Sequence, residues 1–130
     1  MTKVAINLDG DLIGGGWGRA RRIAVADLAN GQIASWTEHE VGWDQSHDNA
    51  PSHGSHHARI VRFLRDQSVE AVLTGHMGPP MARMLDSMGV VALIGLSGPA
   101  RPAAEALAAQ LAQAAGPAAQ PSPTAGPAQS

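Results

Sequence analysis

The chain has no cysteine among its 130 residues. That excludes a disulfide framework, a thiolate nucleophile, and any zinc or iron–sulfur centre held by the protein's own thiolates. Tyrosine is absent too, and three tryptophans and one phenylalanine make up the whole aromatic content. Charge is sparse and nearly balanced, 9 Lys and Arg against 11 Asp and Glu for a net −2. The only basic cluster, Arg19, Arg21 and Arg22, is short and reads as a solvated strand edge or, less favoured, an anion contact, so neither nucleic acid nor an anionic membrane is an expected partner. No apolar run approaches the length that spans a bilayer. The opening MTKVAINLDGD turns acidic where a signal peptide needs its apolar centre. These absences lead us to expect a cytoplasmic protein in which a metal would be held by His, Met, carboxylate, backbone or an exogenous ligand.

Large side chains also run out before the chain does. Residues 114–130 carry no charge, no aromatic and no large aliphatic residue. They cannot bury enough apolar area to offset the entropy of ordering, and a disordered Pro/Ala-rich tail is expected after a single domain of residues 1–113.

Within that domain, Lys3 to Leu8 alternates as a strand, and Asp9-Gly10-Asp11 turns it into a glycine-dense loop, Leu12 to Gly18. Arg22 to Leu28 and Gln32 to Val41 read as strands joined at Asn30-Gly31, a strong hairpin signal. The second of these would place Ile33, Ser35, Thr37 and His39 on one face and Trp36 on the other. A polar loop, Gly42 to Gly54, leads to a helix over about Ser55 to Gln67, with His57, Ile60, Val61 and Leu64 on one face. Val69 to Thr74 reads as a buried parallel strand, Gly75 to Pro80 as a turn, and Met81 to Ser87 as a helix closed by Gly89. Val90 to Ile94 is a fifth strand, and Arg101 to about Ala114 a third helix. The order βββ-α-β-α-β-α predicts an α/β architecture: a mixed five-stranded sheet, a β-meander plus two parallel strands, covered by three helices.

Four of the six histidines fall in two short segments, His53, His56 and His57 in PSHGSHHAR and His76 in GHMGPP. The second segment follows a parallel strand, and the first opens the helix that leads into that strand. Both should therefore reach the sheet edge where α/β proteins bind ligands. His53, His56, His57 and His76 are the candidate metal ligands, followed by the thioether of Met77, with Gly75 and Gly78 shaping the turn. Imidazole with thioether suits copper or the edge of a sulfide-rich cluster, whereas imidazole with Asp44 or Asp48 suits zinc, nickel or iron. His57 also continues the apolar stripe, which equally fits a hydrogen-bonded core histidine. Gly14, Gly16 and Gly18 do not form a dinucleotide-type phosphate loop, because the spacing is wrong and a strand follows. Neither a carboxylate cluster nor an oriented nucleophile is evident, so catalysis is not expected.

Several stretches together resemble the dinitrogenase iron–molybdenum cofactor biosynthesis family, the small NifX/NafY-like proteins. These are LDGDLIGGGWGRARRIAVADL from Leu8 to Leu28, the His-rich helix entry, and VLTGHMGPPMARMLDSMGV from Val72 to Val90. The resemblance covers about residues 3–113. It implies a ribonuclease-H-like three-layer fold and a non-catalytic carrier that binds an iron–molybdenum-type cluster and passes it to a recipient metalloprotein. It also implies cluster contacts at Gly16, Trp17 and Gly18, where the family usually has His-Phe-Gly, so that one histidine of the pattern is missing here. The alternative is a small-ligand or protein-interaction module of the same fold without a metal.

Overall fold

The computed structural model describes residues 1–44 and 53–115, with the side chains of 53–56 and 115 excepted. Six strands form one mixed sheet: β1 (Thr2–Asp9), β2 (Leu12–Ile13), β3 (Arg22–Ala29), β4 (Gln32–Glu40), β5 (Ala71–Leu73) and β6 (Val91–Leu93). Among the elements described from end to end, three α-helices accompany it, α1 (His53–Asp66), α2 (Pro79–Ser87) and α3 (Ala100–Ala115). The sheet order is β4-β3-β1-β5-β6, with β2 on a side branch from β1. β1, β3 and β4 are antiparallel neighbours, while β5 is parallel to β1 and β6 parallel to β5.

The inner strands β1, β3 and β5 are buried on both faces because they carry small or aliphatic residues at successive positions. On one face Ala5, Ile23, Val25 and Val72 pack against Ile60 and Leu64 of α1 and Met81 and Leu85 of α2. On the other, Val4, Ile6, Leu8, Ala24, Ala26 and Leu73 pack against α3 through Ala100, Ala104 and Ala108, spaced every four residues. Methyl-sized side chains on both partners let this helix lie close to the sheet.

Three expectations are corrected. The sheet has six strands instead of five, because Gly10, at φ 62°, lets the chain fold back and pair Leu8 with Ile13 and Asp9 with Leu12. Strand β4 does not keep simple alternation. Its pairing with β3 steps from Asp27↔Ser35 to Leu28↔Ile33, which leaves Ala34 as an extra residue. Ile33 and Trp36 therefore share the α3 face, and His39 meets the Phe63 ring edge-to-face at 5.5 Å on the α1 side. Helix α2 begins two residues earlier than expected, with prolines in its first two positions, where a missing N–H costs nothing. The hairpin at Asn30-Gly31, with φ of 54° and 78°, and the cap at Gly89, with φ of 78°, are as expected. Helix α3 runs to Ala115, and the tail expected beyond it lies outside the described residues.

Candidate functional site

Strand β1 is where the sheet changes direction: the chain goes one way to β3 and β4, and later the other way to β5 and β6. Beyond the end of β5 the glycine loop takes the place that β1 had held. Gly75 N donates to Gly14 O at 3.0 Å, His76 N donates to Gly15 O, and Trp17 N donates to His76 O at 2.9 Å. Gly16 and His76 form a parallel bridge. On its other side Gly75 O accepts from Gly95 N at 2.9 Å. The turn that carries His76 is thus clamped between two backbone segments.

Two glycines are required by this close approach. A Cβ at Gly75 would lie 3.1 Å from Gly15 O and 3.2 Å from Gly14 O. A Cβ at Gly14 would lie 2.5 Å from Asn7 Oδ1. Gly16 differs. Its φ of −101° suits any residue, and an added Cβ meets only Arg19 Cβ at 3.9 Å.

The clamp opens a cavity of about 530 Å³, walled by Gly16, Trp17, Gly18, Arg19, His57, His76, Met77, Gly78, Pro80 and Met81. Trp17, Met77 and Met81 are buried, His57 is half-buried, and Arg19 and His76 are exposed. No carboxylate is among these residues. Trp17 is held edge-to-face by Trp43 at 5.2 Å, and Trp43 by Phe63 of α1 at 5.5 Å. The Trp17 indole Nε1 is buried with no hydrogen-bond partner among the described residues. Trp43 is pinned by its backbone N–H, which donates to Ala20 O at 2.9 Å.

Of the expected ligands, His57 and His76 reach the same cavity, together with Met77 and the flanking Gly16, Trp17, Gly18 and Gly78; Gly75 lies just behind, in the clamp. The side chains of His53 and His56 lie outside the described residues, as does Asp48. Trp36 is on the opposite face, under the Arg101 guanidinium at 4.5 Å. Among the described residues, no three of His, Cys, Asp and Glu gather in a way that would hold a metal ion.

The sequence allowed the Arg19 cluster as an anion contact without assigning it to this site; a 3-10 turn, Trp17–Arg19, carries Arg19 into its wall. Reading the sequence passed over Asn7 and Thr74, the buried polar residues under the clamp. A polar side chain inside one apolar strand, Asn7, and another closing a second apolar run, Thr74, were the available signals.

Fold and site together describe a small α/β domain with a cavity at the switch point of a mixed sheet. The chain belongs to the dinitrogenase iron–molybdenum cofactor family, whose model matches residues 1–112. No curated protein matches it significantly. Among solved structures, that of PH0822 is similar with a TM-score of 0.68 and 20% identity, covering 84% of this chain and 90% of that one. The apo form of the orange protein from Desulfovibrio gigas has a TM-score of 0.65 and 22% identity, covering 82% and 87%. Among the described residues, no helix is long and apolar enough to cross a membrane.

Proposed function

We propose that this protein is a non-catalytic carrier or accessory protein, cytoplasmic in location, that binds an iron–molybdenum-type metallocluster and passes it to a recipient metalloprotein. One observation carries the reading: two imidazoles, a guanidinium and two thioethers share one cavity with no carboxylate among its described wall residues. Hard cations want oxygen ligands, and a bare transition-metal ion wants three or four donors at fixed distances. A sulfide-rich cluster asks for less. It is anionic, large and polarizable, and it brings most of its own coordination. Arg19 would match its charge, Met77 and Met81 its soft surface, and His57 and His76 its one or two open metal positions. Family membership supports a cluster as cargo, and the ribonuclease-H-like label is part of the same proposal, argued from the strand order β4-β3-β1-β5-β6. His53 and His56 are proposed as further ligands from the start of α1. A single bound copper, zinc, iron or nickel ion is the less favoured form of the same reading.

The room at Gly16 favours a second reading, a small-ligand or protein-interaction module, since a side chain that could have contacted a metal is absent where space for one remains. Metal analysis and absorption spectra of anaerobically purified protein decide between the two. Bound metal, or saturable uptake of tetrathiomolybdate that is lost in His57→Ala/His76→Ala, supports the carrier. A metal-free protein that takes up neither tetrathiomolybdate nor Cu, Zn, Fe or Ni overturns it.

A further inference from the structure

Asn7 on β1 is 2% exposed and Thr74, just past β5, is 0% exposed, the only buried polar residues among those described. Asn7 Nδ2 donates to Thr74 Oγ1 at 3.1 Å, and Thr74 Oγ1 donates to His76 O at 3.4 Å. A hydroxyl has one proton. With the Asn7 amide donating to it, that proton is directed at the His76 carbonyl, and the chain runs one way: amide, hydroxyl, carbonyl. The same carbonyl accepts from Trp17 N at 2.9 Å. Asn7 also presses on the glycine loop, since its Oδ1 occupies the space a Cβ at Gly14 would need, 2.5 Å away. Two aliphatic residues could fill this core at no desolvation cost, whereas a buried polar pair is tolerated only when its hydrogen bonds are made.

We propose that Asn7 and Thr74 are positioning residues: their buried hydrogen-bond chain sets the orientation of the His76–Met77 wall and so tunes the cavity for its cargo. The role in binding rests on the carrier reading, but the role in orienting His76 does not. The test therefore uses two readouts on the full chain, NMR signals of the His57 and His76 imidazoles and the Met77 methyl without ligand, and titration with tetrathiomolybdate. Thr74→Val, which keeps the shape and removes the hydroxyl, is expected to shift His76 and Met77 while leaving His57 in place. It should weaken tetrathiomolybdate about five- to tenfold, the scale of one hydrogen bond. Thr74→Ser should restore both. Asn7→Leu leaves the Thr74 hydroxyl and should move His76 less; if Thr74→Val fails to fold, Asn7→Leu against Thr74→Ser carries the comparison. If wild type does not bind the probe but Thr74→Val still moves His76, the positioning stands and the carrier reading falls. Unchanged His76 and Met77 signals in a folded Thr74→Val, or a larger change in Asn7→Leu than in Thr74→Val, overturn the proposal.

Discussion

Replacing Gly75 by alanine tests whether the clamp, more than any single side chain, builds the cavity. The new methyl would meet Gly15 O at 3.1 Å, Gly15 Cα at 3.2 Å and Gly14 O at 3.2 Å, all backbone atoms. No flexible side chain can swing away, so relief requires the glycine loop and the His76 turn to separate. Separation weakens the hydrogen bonds Gly75 N to Gly14 O and His76 N to Gly15 O. At about 1 kcal/mol each, less roughly 0.4–1 kcal/mol regained from a stiffer unfolded chain, the net loss is on the order of 1–2 kcal/mol. In a domain of this size that lowers Tm by about 4–16 °C. Gly16→Ala is the control, because its methyl would meet only Arg19 Cβ at 3.9 Å and its φ of −101° is ordinary. Its Tm should stay within a few degrees of wild type. Differential scanning calorimetry of the three proteins under one buffer gives both values. A Gly75→Ala protein as stable as wild type, or a Gly16→Ala protein destabilised as much as Gly75→Ala, would refute the reasoning.

Three further outcomes are expected. In a double-mutant cycle, Gly14→Ala should be costly alone and less costly in an Asn7→Ala background, because the clash at 2.5 Å is with the Asn7 side chain; urea unfolding should show a favourable coupling of about 0.5–3 kcal/mol, and simple additivity would argue against the contact. Ala104→Leu puts three extra carbons where a fully buried methyl faces β3, and overpacking should cost roughly 1–3 kcal/mol by the same measurement; an unchanged midpoint would mean that α3 does not lie close. Arg22 donates Nη2 to Glu40 Oε2 at 2.9 Å and, by that hydrogen bond and then by charge attraction, holds the Glu40 carboxyl below its usual range. A lowered carboxylate stabilises above its unfolded value of 4.5 and loses that contribution as pH falls through the folded value. Both partners are exposed and screened, so Glu40→Gln should lower Tm at most slightly, with any difference from wild type present above pH 4.5 and vanishing in acid; a large drop at neutral pH, or a difference that persists in acid, would contradict this.

Much of the fold was legible because its signals are local. Asn30-Gly31, Gly89 and the i, i+4 spacing of Ile60 and Leu64 each act within a few residues, and so do the apolar runs that became β1, β3 and β5. The failures are non-local. Leu12 and Ile13 become a strand only because Gly10 folds them back and Pro99 bridges Leu12 from the far end of the chain. Ala34 bulges because the ladder to β3 shifts there, and no residue at that position announces it. For the site, the convergence of His57 and His76 followed from strand order and helix direction. Gly75 was expected near a ligand, and what constrains it is the backbone facing it. Arg19 and the Asn7–Thr74 pair needed three-dimensional neighbours before they could be placed.

The central claim is that His57 and His76 act together on an anionic, sulfide-rich cluster in one cavity with no carboxylate among its described wall residues. Its most direct test is an anaerobic optical titration of the full chain with tetrathiomolybdate, comparing wild type with His57→Ala/His76→Ala. Saturable binding near one equivalent, weakened tenfold or more in the double variant, is the predicted result. Equal binding by both proteins would move the site elsewhere, and no saturable binding by wild type would contradict the claim itself.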